Sequence, residues 1–238
     1  MKCEVNDGLF DIDSSLVTLA HELKSPLVLI RQLALFMESE SLTSKDLKNI
    51  SRQLNMTSER ALRLVSDLTK ASRLEDAMFE MLPTNPRKVC AEVLSSMSGL
   101  YRINHKKLKV NYTNKDRLVV ANQELLSSII YNFCDNALHY SSDDMPSSLF
   151  VKSSRDRVRI GVRDFGPGLP VEVWRDIKKS GAVFSPQPIQ ARPGSSGLGL
   201  YIVSRFVRAM NGEFGTIRHR DGTTLYVDLR VSNQLSLL

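Results

Sequence analysis

From Leu47 to Ala71 the chain sets small or apolar residues at Leu47, Ile50, Leu54, Thr57, Ala61, Leu64, Leu68 and Ala71, in steps of three and four that strictly alternate. Such a heptad seam belongs to a helix that packs against other helices. A second stripe precedes it at Leu16, Leu19, Leu23, Leu27, Ile30, Ala34 and Met37, again three or four apart. Between the two, "SESLTSKD" (39–46) breaks the pattern with Ser, Thr and Asp, the residue types that turn a chain and cap a new helix. Residues 11–80 therefore read as one helical hairpin. Two helices leave each seam half covered, so a second copy completing a dimeric four-helix bundle is the expected closure.

Pro83 and Pro86, in "MLPTNPRK", mark the end of this pattern. Beyond them the periodicities are mixed. "RKVCAEVLSSMSGLY" (87–101), "QELLSSIIYNFCDNALHY" (123–140) and "GLGLYIVSRFVRAMNG" (197–212) read as helices, the last closed by Gly212. "LKVNYT" (108–113) and "TTLYVDLR" (223–230) alternate as strands do, and "SLFVKSS" with "RVRIGVRD" reads as a pair of hairpin strands. The expected architecture is α+β and multidomain. The helical hairpin is followed, over residues 84–232, by an α/β sandwich with a mixed, largely antiparallel sheet.

Composition narrows the functional classes. No apolar run approaches the roughly 20 residues that span a bilayer, and the N-terminus lacks the apolar core of a signal peptide. A cytoplasmic chain, or the cytoplasmic part of a membrane-associated sensor, is expected. Cys3, Cys90 and Cys134 form no paired-cysteine motif, which argues against a zinc site or a disulfide framework. The net charge of +6 gathers modestly at "HKKLK" (105–109) and "RDRVRI" (155–160). These runs read as solvated faces; an acidic protein partner or a polyphosphate ligand explains the surplus without nucleic acid.

Three features of the second half carry chemistry. Asn132 and Asn136, four apart, share a helix face. They form either a plain polar face or a pair of amide oxygens able to ligate Mg²⁺ beside a triphosphate without adding negative charge. "DFGPGLP" (164–170) follows a strand and is either a tight Gly-Pro turn or a place where Gly166 and Gly168 let a ligand approach the backbone while Asp164 accepts a hydrogen bond from an exocyclic amine. "PGSSGLGLYIV" (193–203) runs from glycines straight into a helix N-terminus, where free N–H groups and the helix dipole favour an anion. No lysine follows the glycines, so this is not the Walker-type phosphate loop.

In this order the motifs resemble those of the sensor histidine kinases, whose ATP-binding domain belongs to the gyrase, Hsp90, histidine kinase and MutL superfamily. "NFCDNALHYS" is similar to their N box, "DFGPG" to the first glycine box, "GSSGLGLYIV" to the second and "LAHELKSPL" to the phosphoacceptor box. The resemblance implies autophosphorylation of His21 by ATP, then transfer of the phosphoryl group to an aspartate of a response regulator. It implies Mg²⁺ and phosphates at Asn132 and Asn136, the adenine amine at Asp164 and the adenine face at Tyr140. It also implies a phosphate loop at Gly197, Leu198 and Gly199 and a nucleotide-binding role for Gly166, Gly168 and His139. On a helix His21 lies about 200° from both Leu19 and Leu23, so it is expected to face solvent. Neutral imidazole offers a lone pair at neutral pH, and Glu22 can orient the ring or take its proton. Pro26 removes the helix bond to the carbonyl of Glu22 and loosens that turn.

The chain departs from the family at several places. His139 stands where Lys or Arg is usual, Ser25 where Thr or Asn is usual, and Asn122 where an acidic residue is common. The lid region 178–196 has Phe184 in place of a clear aromatic box, and Ser195 and Ser196 where a further glycine is common. About a dozen residues precede the first helix, too few for a sensor domain, so a missing domain or a separate sensor protein is expected to supply the input. Two other functions share parts of the pattern: a phosphotransfer scaffold with a decayed ATP site, and a superfamily ATPase that forms no phosphohistidine.

Overall fold

The computed structural model describes residues 23–38, 42–74, 79–112, 117–142, 145–168, 171, 174–175 and 198–233. His21, Glu22, Gly197 and the lid region 178–196 lie outside the described residues. The chain divides into two compact units, the first ending at Ser72 and the second beginning at Arg73.

The first unit contains helix α1, described over 23–37, and helix α2 (Ser44–Ser72). Thr43 and Asp46 cap α2 reciprocally: the Thr43 hydroxyl accepts from the Asp46 N–H at 3.2 Å, and the Asp46 carboxylate accepts from the Thr43 N–H at 3.0 Å. These hydrogen bonds to Thr43 hold the Asp46 carboxyl below its usual range. Along α2 the expected seam is the covered face from Ile50 onward, while Leu47 at its start is 40% exposed. Ile50, Ala61 and Ala71 are buried, and Leu54, Leu64 and Leu68 are half-buried. On α1, Leu23, Pro26, Ile30 and Leu33 are half-buried, while Leu27 (57% exposed) and Met37 (40%) stay open to solvent within this chain. So do Leu62 (67%) and Val65 (44%) of α2.

The second unit is a layer of helices on a sheet. A two-stranded ribbon pairs β1 (Leu82–Thr84) with β3 (Val119–Ala121). The main sheet has the order β2-β4-β5-β7-β6, from β2 (Leu108–Tyr112), β4 (Ser147–Ser153), β5 (Arg157–Asp164), β7 (Gly222–Arg230) and β6 (Glu213–His219). Among the described residues only the β2–β4 pair is parallel. Helices α3 (Pro86–Ile103), α4 (Gln123–Tyr140) and α5 (Leu198–Ala209) supply the apolar layer, with α4 packed against both α3 and α5. Met97, Leu126, Ile129, Phe133, Leu149, Ile160, Ile202 and Phe206 form its fully buried centre. On the β5–β7 strands Arg159 forms a bidentate pair with Asp228, at 2.8 and 2.7 Å, and lies 3.8 Å from the ring centre of Tyr226.

The helices and strands expected from periodicity are present, with the last helix described over Leu198–Ala209. The sequence reading missed β6 and the short β1–β3 ribbon. β6, "EFGTIRH", is an edge strand with a glycine in its interior and little alternation, while β1 and β3 are three residues each, too short to show a period. Among the described residues no helix is long and apolar enough to cross a membrane.

Asn122 acquires a structural role. Its side-chain oxygen accepts from the N–H groups of Glu124 and Leu125, at 3.1 and 3.2 Å, and so caps α4, while its amide donates to the Glu80 carbonyl at 3.2 Å. Asn122→Ala is expected to destabilise the second unit by roughly 1 kcal/mol. Asn122→Asp, which keeps the acceptor, should retain most of the stability; urea unfolding of the two variants beside the parent checks this.

Candidate functional site

Helix α4 is apolar on the side that meets the sheet and the other helices, and polar on the other. Ten of its eighteen residues are buried, among them Leu125, Ile129 and Phe133. Asn132 and Asn136 sit half-buried along the boundary, and His139 is exposed at the last turn. Asn132 donates from its amide to the Ser128 carbonyl at 2.9 Å. That bond directs the amide oxygen toward the first turn of α5, where a Cβ on Gly199 would lie 2.8 Å from it. Glycine is therefore what lets the N-terminus of α5 come against Asn132, and two motifs separated by more than sixty residues meet at this contact.

The third motif closes on the end of the same helix. Asp164, at the last position of β5, is buried, and its Oδ1 accepts from the N–H groups of Gly166 at 3.1 Å and Thr223 at 3.3 Å. The carboxylate is thus held by two fixed donors, a geometry that orients it toward a ligand donor. A Cβ on Gly166 would collide with the Tyr140 carbonyl, so the turn after β5 lies directly against the C-terminus of α4. Gly168 holds φ at +76°. Tyr140 is half-buried, and its ring lies 6.5 Å from that of His139. His139 Nδ1 is 2.8 Å from the Asp135 carbonyl oxygen and 3.5 Å from the Asp135 carboxylate. A cavity of about 420 Å³ opens beside this cluster, lined by Tyr140, Ser141, Met145, Phe165, Gly166 and Asp221 among others.

Tyr140, Asp164, Gly166 and Gly168 thus gather at one end of α4, and Asn132 and Gly199 meet farther along it. Asn136 and Leu198 lie on the elements that carry that contact. His21, Glu22 and Gly197 are outside the described residues.

Other residues join the cluster without having stood out in the sequence. Thr223 faces Asp164 across the β5–β7 pair, and its buried hydroxyl has no hydrogen-bond partner among the described residues. A buried hydroxyl beside a fixed carboxylate is the donor and acceptor set that suits a purine edge. Only the Asp221-Gly222 turn signal hinted at this place in the sequence; the register that puts Thr223 opposite Asp164 could not be read. Arg163 donates to the carbonyl of Asp164 and, at 2.6 Å, to the carboxylate of Asp221, with its guanidinium 4.4 Å from the ring centre of Phe165. Ser141 links its hydroxyl to that of Ser147 at 2.7 Å, and the Ser142 N–H donates to the Phe165 carbonyl at 2.8 Å.

No group of three or more His, Cys, Asp or Glu side chains that could hold an ion occurs among the described residues. Burial pushes the Cys90 thiol up to about 12 and raises that of Cys134 too, so neither is a nucleophile. The amide oxygens of Asn132 and Asn136 remain as a neutral donor set, which fits Mg²⁺ carried on phosphates.

Residues 121–233 match the family model described as histidine kinase-, DNA gyrase B-, and HSP90-like ATPase. The chain is 32% identical over 201 residues to the sensor protein QseC of Escherichia coli, a match covering 82% of this chain and 43% of that protein. It is 29% identical over 213 residues to the adaptive-response sensory kinase SasA of Crocosphaera subtropica, covering 84% of this chain and 54% of the other. The chain spans about half the length, or less, of the curated relatives it matches. Full-length ShkA, solved in complex with AMPPNP, shares the fold with a TM-score of 0.61 at 21% identity, over 93% of this chain and 46% of that one. A helical hairpin precedes a nucleotide-type α/β domain, and the relatives that align along most of the chain are sensor kinases; residues 121–233 form an ATPase domain of the histidine kinase, DNA gyrase B and HSP90 type.

Proposed function

We propose that this chain phosphorylates itself on His21 at the expense of ATP and then passes the phosphoryl group to an aspartate of a response regulator. The observation that carries the reading is the contact of Gly199 with Asn132, which brings the glycine-led N-terminus of α5 against the asparagine face of α4. N–H groups at such a helix start would receive the phosphates, with Gly197, Leu198 and Gly199 as the loop. Asp164 would accept from the adenine amine, with the Thr223 hydroxyl beside it and the Tyr140 ring against the base. Asn132 and Asn136 would hold Mg²⁺ through their amide oxygens, and the ion would supply charge neutralisation on the phosphates. His139 would stand near those phosphates in place of the usual cation.

In the first step the imidazole lone pair of His21 forms a P–N bond to the γ-phosphorus as the bond to the bridging oxygen of ADP breaks. Glu22 takes or orients the other ring proton. In the second step the carboxylate of the regulator's aspartate forms an acyl phosphate as the P–N bond breaks, and the imidazole is regenerated. Leu27, Met37, Leu62 and Val65, open within one chain, would be covered by a second copy in a four-helix bundle. The input would come from a separate sensor protein or a further domain.

Incubation with γ-labelled ATP and Mg²⁺ should place on the protein a label that is stable to base and lost in acid. His21→Ala should abolish it without changing nucleotide binding. Label that resists acid, or free phosphate with no labelled protein, would overturn the reading in favour of a superfamily ATPase.

Asp164→Asn should weaken ATP binding by about 10- to 100-fold, the scale of a lost hydrogen bond to a charged group. The circular dichroism spectrum should not change, and calorimetric titration measures the affinity. Gly199→Ala should likewise weaken ATP binding, by roughly tenfold or more, because its methyl would sit 2.8 Å from the Asn132 oxygen and push α4 and α5 apart. Thermal unfolding run in parallel shows whether the domain remains folded.

A further inference from the structure

Among the described residues the cluster "HKKLK" supplies none of the lining of the cavity described above, although Lys106 reaches the end of α4. In the fold it forms one end of a groove of about 650 Å³ between α3 and β2. The helix and the strand run in opposite directions along it. At one end Arg87 of α3 lies 5.0 Å from the ring centre of Tyr112 on β2. At the other, α3 ends in a tight reversal: His105 takes φ +54°, its N–H donates to the Arg102 carbonyl at 3.2 Å, and the Lys106 N–H donates to the Tyr101 carbonyl at 2.9 Å. The reversal feeds directly into β2. The floor is apolar, from Leu94 and Met97 of α3 and Leu108 and Val110 of β2.

We propose that this groove is a docking site for an extended, acidic peptide segment of a partner protein, which adds as a further strand along β2. Three observations select that occupant. First, β2 is an edge strand, and among the described residues no strand pairs with its outer side, so a row of backbone donors and acceptors awaits a partner. An edge strand beside an antiparallel helix, with an apolar cleft between them, is the arrangement that receives an added strand and pockets its alternate side chains. Second, among the described residues the lining contains Arg102, His105, Lys106 and Lys107 and no carboxylate, and Lys109 stands next to it on β2. Lys106 is committed to the carbonyls of Leu138 and Ser141, at 2.9 and 2.7 Å, but among the described residues Arg102, Lys107 and Lys109 make no side-chain ion pair. Third, the groove offers little aromatic surface among the described residues. Tyr101 is buried with its hydroxyl donating to the Cys134 carbonyl, Tyr112 has Arg87 over its ring, and His105 is the one exposed ring of the lining, so the succession of stacking platforms that holds single-stranded nucleic acid is missing. A small anionic amphiphile would fill the floor and leave the edge of β2 unpaired.

The test uses the full chain without nucleotide and a fluorescein-labelled peptide of alternating glutamate and valine. Saturable binding is expected by fluorescence anisotropy. Charge reversal at Arg102→Glu with Lys107→Glu, both exposed and outside the nucleotide cluster, should weaken it at least tenfold while the circular dichroism spectrum stays that of the parent. N-methylation of alternate peptide amides should weaken binding to the unaltered protein by a similar factor, which charge attraction alone would not do. The proposal is overturned if the peptide does not saturate up to about 1 mM, a threshold near −4 kcal/mol. It is equally overturned if binding survives charge reversal or N-methylation, or if an oligothymidylate of equal length displaces the peptide at lower concentration.

Discussion

Everything in the second unit depends on how α4 is held. Its apolar side is locked among α3, α5 and the sheet, with Phe133 stacked on Phe214 at 5.9 Å between ring centres and Leu125, Leu126, Ile129 and Ile130 wholly buried. A helix so packed cannot rotate without opening voids in a close-packed core. Its polar stripe is fixed by the same contacts. Asn132 meets Gly199 on one side, and the Tyr140 carbonyl meets Gly166 on the other. Hydrophobic burial thus supplies the rigidity, and two glycines supply the close approach that brings polar groups from distant parts of the chain together.

The end of α4 is tied down by a second set of interactions. Lys106 donates to the carbonyls of Leu138 and Ser141, two acceptors left open where the helix stops. Ser141 in turn reaches Ser147 at the start of β4, and Ser142 reaches Phe165 just past β5. These bonds join the helix terminus to the turn that carries Asp164. Arg163 extends the tie to the β6–β7 turn through Asp221 and through the carbonyl of Asp164 itself. The cluster is therefore braced from the sheet as well as from the helix layer. It stands at strand and helix ends, where backbone groups are free of the regular ladders.

Much of this was legible in the residues. The heptad steps of α2 marked its covered face, and the buried Ile50, Ala61 and Ala71 lie on it. Alternation found β2, β4 and β5, whose burial alternates along much of each strand, while β7, covered on both sides, was legible from its apolar and β-branched residues. The asparagine pair and the two glycine segments each allow a plainer reading alone; it was their order, through its resemblance to the sensor histidine kinases, that pointed to a nucleotide site. The strand β6 was not legible, since an edge strand need not alternate when only one flank is packed. Nor was the role of Asn122, which could be read as a departure from a family pattern but whose capping bonds depend on where α4 begins.

By itself the sequence determined the helices and the longer strands, and which residue types could meet a nucleotide. These follow from local periodicity, turn chemistry and side-chain inventory, all of which act within a few residues along the chain. Only the tertiary structure decided that Thr223 stands opposite Asp164, that Gly199 abuts Asn132, and that the lysine-rich turn after α3 rims a groove along an unpaired strand edge. Those pairings join residues tens of positions apart, and strand register and helix packing are set by the whole core at once rather than by any local pattern.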